Sequence, residues 1–324
     1  MFFRFLSTII TGKTTKRSIS ALNKMQLKLL TAEDLNRFET FLFDADGVLW
    51  RGGETIAGSV EFVQQLQRQG KRVFVITNNS TKTRSQYLKK LHGLGFDLPE
   101  SNVISPGVVL PMYLKDNGYE NKKIYLIGTP SLKDSLEKGA GVKCVGLGPE
   151  HFEDLTDTDF IFQLENDEEI AAVVVSFDGH ISYPKIMRAA NYLRDSSVDF
   201  FITNEDTTFP GPCDDVIVPG TGCIAAAIRS VVDREPLVFG KPNTPIADFL
   251  KRHHHIDATK TIMFGDRLDT DIMFANGNGF TSCLMLTGIH SLETVNKAKL
   301  AGNHLQIPHF QFAFSPYAGL TNGF

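Results

Sequence analysis

The stretch Phe41-Leu42-Phe43-Asp44-Ala45-Asp46-Gly47-Val48-Leu49-Trp50 constrains this chain more than any other. Its apolar start, Phe41 to Phe43, suits a β-strand covered on both faces, as in a parallel sheet. Asp44 and Asp46 stand where that strand should end, and ligands of open α/β sheets bind at the carboxyl ends of strands. Residues two apart on a strand share a face, and a bend can aim both carboxylates at one point. Gly47 permits a sharp turn directly after the pair. Two ionised carboxylates this close repel each other, and a divalent cation offsets the repulsion. An all-oxygen site of this kind suits magnesium, with waters completing its shell. An Asp in this position can also attack phosphorus and form an aspartyl-phosphate. A bare Asp-x-Asp-Gly also occurs as a solvated turn, so the rest of the chain must decide.

Three further stretches lie downstream. Val73-Phe74-Val75-Ile76-Thr77-Asn78-Asn79-Ser80 is an apolar strand ending in hydroxyl and amide residues. Gly240-Lys241-Pro242 comes after a short apolar run, and Thr261-Ile262-Met263-Phe264-Gly265-Asp266-Arg267-Leu268-Asp269-Thr270-Asp271 is a strand and then an acidic loop. In this order the four stretches resemble the motifs of the haloacid-dehalogenase-like phosphatases, and the resemblance runs from about Phe38 to about His290. Asp-Gly-Val-Leu-Trp, Thr-Asn-Asn-Ser-Thr and Gly-Asp-Arg-Leu-Asp-Thr-Asp are similar to the eukaryotic 4-nitrophenylphosphatase and phosphoglycolate phosphatase group.

The resemblance implies a role for each residue. Asp44 would be the nucleophile, and Asp46 the general acid and then the base that activates water. Magnesium would be held by Asp44, by the main-chain carbonyl of Asp46 and by Asp266, with Asp271 orienting the bound waters. Thr77 and Asn78 would hydrogen-bond the phosphoryl oxygens, and Lys241 would neutralise charge on the phosphate and on Asp44. A histidine of the cap, here His180, would touch the substrate.

The remaining sequence supplies the frame. Helical patterns at Glu61 to Gln69 and Arg84 to Leu94 alternate with strands, hence a parallel sheet. Ser105 to Leu114 reads as one more helix of that layer. Between Asn79 and Lys241 lies far too much chain for a sheet connection. It carries its own strand candidates at Lys123 to Ile127, Ala171 to Phe177 and Phe200 to Thr203. The expected fold is therefore α/β, a Rossmann-like parallel sheet core with a large inserted α/β cap domain. Residues 33–118 and 236–324 form the expected catalytic core, and residues 119–235 the cap. Pro219-Gly220-Thr221-Gly222 opens an apolar helix, and tight packing rather than anion binding is the reading of its glycines. The tail from Ser291 to Phe324 carries no legible pattern.

Residues 1–32 form a basic, serine- and threonine-rich segment with no acid, a composition that fits a mitochondrial presequence. Initiation at Met25 is an alternative, so the expected location is cytoplasmic, or mitochondrial if the segment directs import. No apolar run approaches the length of a membrane span. A net charge of -4 implies no polyanion-binding surface, so no nucleic-acid partner is expected. The four cysteines form no metal-type spacing and read as reduced thiols.

The expected function is a magnesium-dependent phosphatase of small phosphate monoesters, with 2-phosphoglycolate as the first substrate and 4-nitrophenyl phosphate as a substrate in vitro. A pyridoxal-phosphate or protein-phosphotyrosine phosphatase with the same core is the alternative, and a catalytically silent binding module is a third reading. The expected partner is a small phosphorylated metabolite, with a homodimer through the cap as the assembly implied by the resemblance.

Overall fold

The central strands of this chain are short apolar runs buried on both faces, and that burial decides their pairing. The structure, a computed structural model, describes residues 27–150, 158–164, 169–209 and 215–314. Its two large sheets contain β1 (Lys28–Leu29), β2 (Thr40–Phe43), β3 (Arg72–Ile76), β4 (Val103–Ile104), β5 (Lys123–Ile127), β6 (Lys143–Val145), β7 (Ile170–Val175), β8 (Asp199–Ile202), β9 (Leu237–Val238), β10 (Thr261–Gly265), β11 (Thr281–Met285) and β12 (Phe310–Phe312). The first sheet has the order β1-β12-β11-β10-β2-β3-β4, and the second β9-β8-β7-β5-β6. Every pairing within both is parallel. Parallel strands need crossover connections, and helices supply most of them here. The longer helices are α1 (Ser59–Arg68), α2 (Arg84–Gly93), α3 (Pro106–Asp116), α4 (Pro130–Ala140), α5 (Tyr183–Tyr192), α6 (Thr221–Arg229), α7 (Pro245–His254) and α8 (Leu292–Leu300).

Register, more than composition, positions the strand tips. Every residue of β2 and β10 is buried, and Phe43 pairs with Phe264. The rings of Phe43 and Phe264 stack with centroids 4.7 Å apart, and Phe41 stacks on Phe264 at 6.3 Å. The Asp44 N–H then donates to the Phe264 carbonyl at 2.8 Å, so Asp44 leaves the sheet beside Gly265 and Asp266. On the other flank Phe43 pairs with Val75, which brings Thr77 out at the same edge.

The two sheets share apolar packing. One cluster of buried side chains joins Leu42, Phe74 and Ile76 of the first sheet to Ile124, Leu126 and Phe201 of the second. Each such buried side chain contributes roughly 1.5–3 kcal/mol. The shared core thus fixes one sheet against the other.

Three expectations change. The sequence puts Leu237–Val238 in the catalytic core, yet β9 pairs with β8 and closes the second sheet, so the inserted unit runs past residue 235. Residues 27–32 belong by composition to the basic N-terminal segment, yet β1 pairs with β12, and Thr31 caps the next short helix. There Thr31 Oγ1 accepts from the Asp34 N–H, and Asp34 Oδ2 accepts from the Thr31 N–H. The presequence reading otherwise concerns residues 1–26, which lie outside the described residues. Thirdly, the illegible tail holds α8 and β12, and β12 lies between β1 and β11. A two- or three-residue strand is too short to show a period, and only its neighbours give it a place. Relative to a chain starting at residue 27, one starting at residue 32 loses β1 and the Thr31 cap. Its stability is expected to fall by at least about 1 kcal/mol, measured as a lower urea midpoint at unchanged slope.

The glycine reading holds. A Cβ on Gly222 would stand 2.4 Å from the Glu205 carbonyl oxygen, and one on Gly220 2.2 Å from that of Asp206. Among the described residues no helix is long and apolar enough to cross a membrane.

Candidate active site

Lys241 organises the edge where these strand tips meet. Its side chain is only 2% exposed, and its ammonium donates to Asp44 Oδ1 at 2.5 Å, Asp271 Oδ1 at 2.7 Å and the Ile76 carbonyl at 3.1 Å. Those bonds use all three donors of a lysine ammonium. Burial works against the charge, but Asp271 and Asp44 outweigh it and hold Lys241 protonated well above the ordinary lysine range.

Asp271 turns its other oxygen to the loop itself. Its Oδ2 accepts from the main-chain N–H groups of Asp266 and Arg267, both at 3.1 Å. That pairing shapes the turn after β10 and fixes where Asp266 points. Asp266 Oδ2 accepts from the Ile289 N–H at 2.9 Å. Its carboxylate lies so close to two backbones that a Cβ on Gly288 would stand 1.9 Å from Oδ2, and one on Gly47 2.5 Å away. Gly47 also has φ +86°, the left-handed region that side chains rarely adopt. Both glycines are therefore conditions for an acid at this position.

Carboxylate oxygens of Asp44, Asp266 and Asp271 all lie within 4.8 Å of one another. Three carboxylates face one ammonium, which leaves two negative charges when all are ionised. Burial, followed by the neighbouring Asp271 and Asp266 carboxylates, pushes Asp44 up against the pull of Lys241. Burial and Asp271 push Asp266 up to about 6. A buried excess of negative charge with only oxygen donors fits a hard divalent cation.

Asp46 is held separately. The Trp50 indole N–H donates to Asp46 Oδ1 at 2.8 Å, and Lys90 Nζ stands 3.9 Å from the same oxygen. Lys90 also lies over the Trp50 ring, 4.5 Å from its centroid. Asp46 is half-buried, two residues beyond Asp44.

Thr77 and Asn78 come directly after β3. The Thr77 hydroxyl accepts from the Asn79 N–H at 3.2 Å and is also hydrogen-bonded to the Tyr87 side chain. The Asn78 side chain is turned toward Lys241. Its Oδ1 accepts from the Lys241 N–H at 2.7 Å, and its Nδ2 donates to the Lys241 carbonyl at 3.0 Å. The carboxamide braces the lysine, and both its ends are occupied in doing so.

Asp44, Lys241, Asp271, Asp266 and Asn78 thus form one hydrogen-bonded group. His180 stands apart from it. It is exposed, and its described hydrogen bond is through the main chain, from its N–H to Asp178 Oδ1 at 2.8 Å. Asp178 is in turn paired with the buried Lys185 at 2.5 Å, which fixes the turn that presents His180. Sequence reasoning missed Lys90 and Asn204. Lys90 lies on α2 among other basic residues and carries no local signal. Asn204 stands just after a strand, and that position was the one cue available.

The family description "Haloacid dehalogenase-like hydrolase" matches residues 41–143, and "HAD-hydrolase-like" matches residues 238–311. A NipSnap protein of Caenorhabditis elegans is 52% identical over 266 residues, which cover 81% of this chain and 49% of that protein. The chain therefore spans about half the length of that relative. Glycerol-3-phosphate phosphatase of Rattus norvegicus is 37% identical over 281 residues, 85% of each chain. Phosphoglycolate phosphatase 1A, chloroplastic, of Arabidopsis thaliana is 35% identical over 259 residues, 80% of this chain and 71% of the other. The crystal structure of 4-nitrophenylphosphatase from Thermotoga maritima superposes with a TM-score of 0.71 at 28% identity, covering 86% of this chain and 95% of that one. Sequence, fold and the acid-lysine group agree, and the chain belongs to the haloacid dehalogenase-like hydrolases as one of their phosphatases, a phosphoric monoester hydrolase.

Proposed function

We propose that this chain is a magnesium-dependent phosphatase of small aliphatic phosphate monoesters and works through an aspartyl-phosphate on Asp44. The observation that carries the reading is the Lys241 ammonium bonded to both Asp44 and Asp271, with the Asp266 carboxylate beside them. Asp44, Asp266 and the Asp46 carbonyl would hold the cation, and Asp271 would order the waters around it. When bound, the ion neutralises the carboxylates and the phosphoryl oxygens. Asp44 attacks phosphorus in line with the leaving oxygen. Lys241 holds the Asp44 carboxylate in place and stabilises charge on the transferring group. The Thr77 hydroxyl donates to a phosphoryl oxygen. Asp46, oriented by Trp50, protonates the leaving alkoxide and then takes a proton from the attacking water.

For the substrate, 2-phosphoglycolate and glycerol-3-phosphate are the first esters to test. The named relatives support both, and each is a short aliphatic ester with a poor leaving group. The core residues meet only the phosphoryl group, so the inserted domain and His180 would select the alcohol. A panel of kcat/KM values tests this. One of the two aliphatic esters is expected to exceed pyridoxal phosphate and a phosphotyrosine peptide by about tenfold or more, a margin of about 1.4 kcal/mol. A pyridoxal-phosphate or phosphotyrosine preference would replace the substrate assignment. Turnover is expected to vanish in excess chelator, return with magnesium and be suppressed by calcium, whose coordination is looser and higher. Full turnover in chelator would refute the metal requirement.

A further inference from the structure

A chain of buried hydrogen bonds runs from the inserted domain to the lysine. Asn204 lies just past β8 and is 5% exposed. Its Nδ2 donates to the Asn78 carbonyl at 3.0 Å. It also lies 3.4 Å from Thr203 Oγ1 and 3.5 Å from Thr221 Oγ1. The Asn78 carboxamide clamps both the N–H and the carbonyl of Lys241. Lys241 then reaches Asp44 and Asp271. Beside this chain the hydroxyls of Ser80, Ser176 and Thr203 form a second bridge between the two sheets, with contacts of 2.8, 3.1 and 3.3 Å. Gly240 allows the close approach, because a Cβ there would stand 2.7 Å from the Asn204 Cβ and 2.9 Å from Asn78 Oδ1.

Geometry and chemistry both single out Asn204. The Asn78 carbonyl is buried, and a buried acceptor that loses its donor incurs a desolvation penalty. Only a donor serves there, since a carboxylate would present oxygen to oxygen. Asn78 cannot shift without carrying the Lys241 main chain along, because its carboxamide holds Lys241 on both sides. A displacement of about 1 Å in a group bonded to the nucleophile can lower the rate by about a hundredfold.

We propose that Asn204 is a positioning residue for phosphoryl transfer: it seats the Asn78 peptide from the inserted domain, and Asn78 thereby sets Lys241 against Asp44. The inference rests on the phosphatase reading of Asp44 and Lys241, and it adds a dependence of that site on the inserted domain.

The full-length chain with Asn204→Ala, Asn204→Asp and Asn78→Ala, singly and with Asn204→Ala combined with Asn78→Ala, tests it. With 4-nitrophenyl phosphate and magnesium, Asn204→Ala is expected to lower kcat by about ten- to a hundredfold while KM moves by less than about threefold. Asn204→Asp keeps the shape without the donor and should be impaired at least as much. The double variant should fall little below Asn78→Ala alone, because the two residues act in series. Hydrogen exchange of the Gly240 and Lys241 amides should quicken in both Asn204 variants, while that of Ile262 to Phe264 stays as in the wild type. If Asn204→Ala does not fold, Asn204→Asp and Asn204→Ser carry the same comparison. Wild-type kcat in a folded Asn204→Asp enzyme, fully additive losses, or unchanged exchange at residues 240–241 would each overturn the proposal. A wild-type chain without phosphatase activity would refute the phosphatase reading instead, and the exchange comparison would still decide whether Asn204 governs the Lys241 segment.

Discussion

Asp44→Asn abolishes turnover, with an expected loss on the order of 10⁵- to 10⁶-fold for 4-nitrophenyl phosphate, the scale seen when a covalent nucleophile is removed. The carboxamide keeps the size of the side chain and an oxygen for the Lys241 ammonium, so the site should stay assembled. Lys241 also keeps Asp271 at 2.7 Å and is not left as an unpaired buried charge. Folding should not suffer. Asp44 is pushed up by burial and by Asp271 and Asp266, so its ionised form is disfavoured in the folded chain. A carboxyl whose folded pKa is raised binds its proton more tightly when folded, and the stability linked to it is lost as pH rises above the unfolded value. At neutral pH, without metal, the variant is therefore expected to have a urea midpoint at least as high as the wild type. Rapid mixing should show no burst of nitrophenolate and no phosphate retained on the protein. A variant that releases product at more than about a thousandth of the wild-type rate would remove Asp44 from the role of nucleophile.

Asp46→Asn divides the two half-reactions. Its retained Oδ1 can still accept from the Trp50 indole, now 2.8 Å away, so the side chain should keep its place. The main-chain carbonyl proposed for the metal is untouched. Nitrophenolate leaves without a proton, whereas an aliphatic alkoxide needs one. General acid-base catalysis typically contributes about a hundred- to ten-thousand-fold. The variant is expected to react once with 4-nitrophenyl phosphate and then stall, because the water that hydrolyses the aspartyl-phosphate lacks its base. The record would be a burst near one equivalent of nitrophenolate per site, with labelled phosphate remaining on the protein. With 2-phosphoglycolate the first-turnover release of glycolate should be about a hundredfold slower or more. Simultaneous release of nitrophenolate and phosphate, with no labelled protein, would exclude this double role.

The local half of the site is legible in the amino-acid sequence. Apolar strands ending in Asp44, Thr77 and Asp266 announce themselves by their unbroken apolar runs and by the polar residues at their tips. The insertion is legible because the chain between Asn79 and Lys241 is too long for a loop. Strand β9 goes to the wrong sheet on sequence because two residues have no pattern of their own, and pairing with Ile202 decides where it lies. Strands β1 and β12 escape notice for the same reason.

The chemistry carried at the ends of the long apolar strands is thus a local property, since periodicity and side-chain type belong to neighbours along the chain. Contacts were decided only by the tertiary structure. Asn78 meets Lys241 across 163 positions, and its carboxamide goes to that main chain. Lys90 comes to Asp46 from the surface of α2, and Asn204 comes to Asn78 from the second sheet. None of these pairings has a sequence period, because each depends on the register of parallel strands, and register is set by the packing of the whole core.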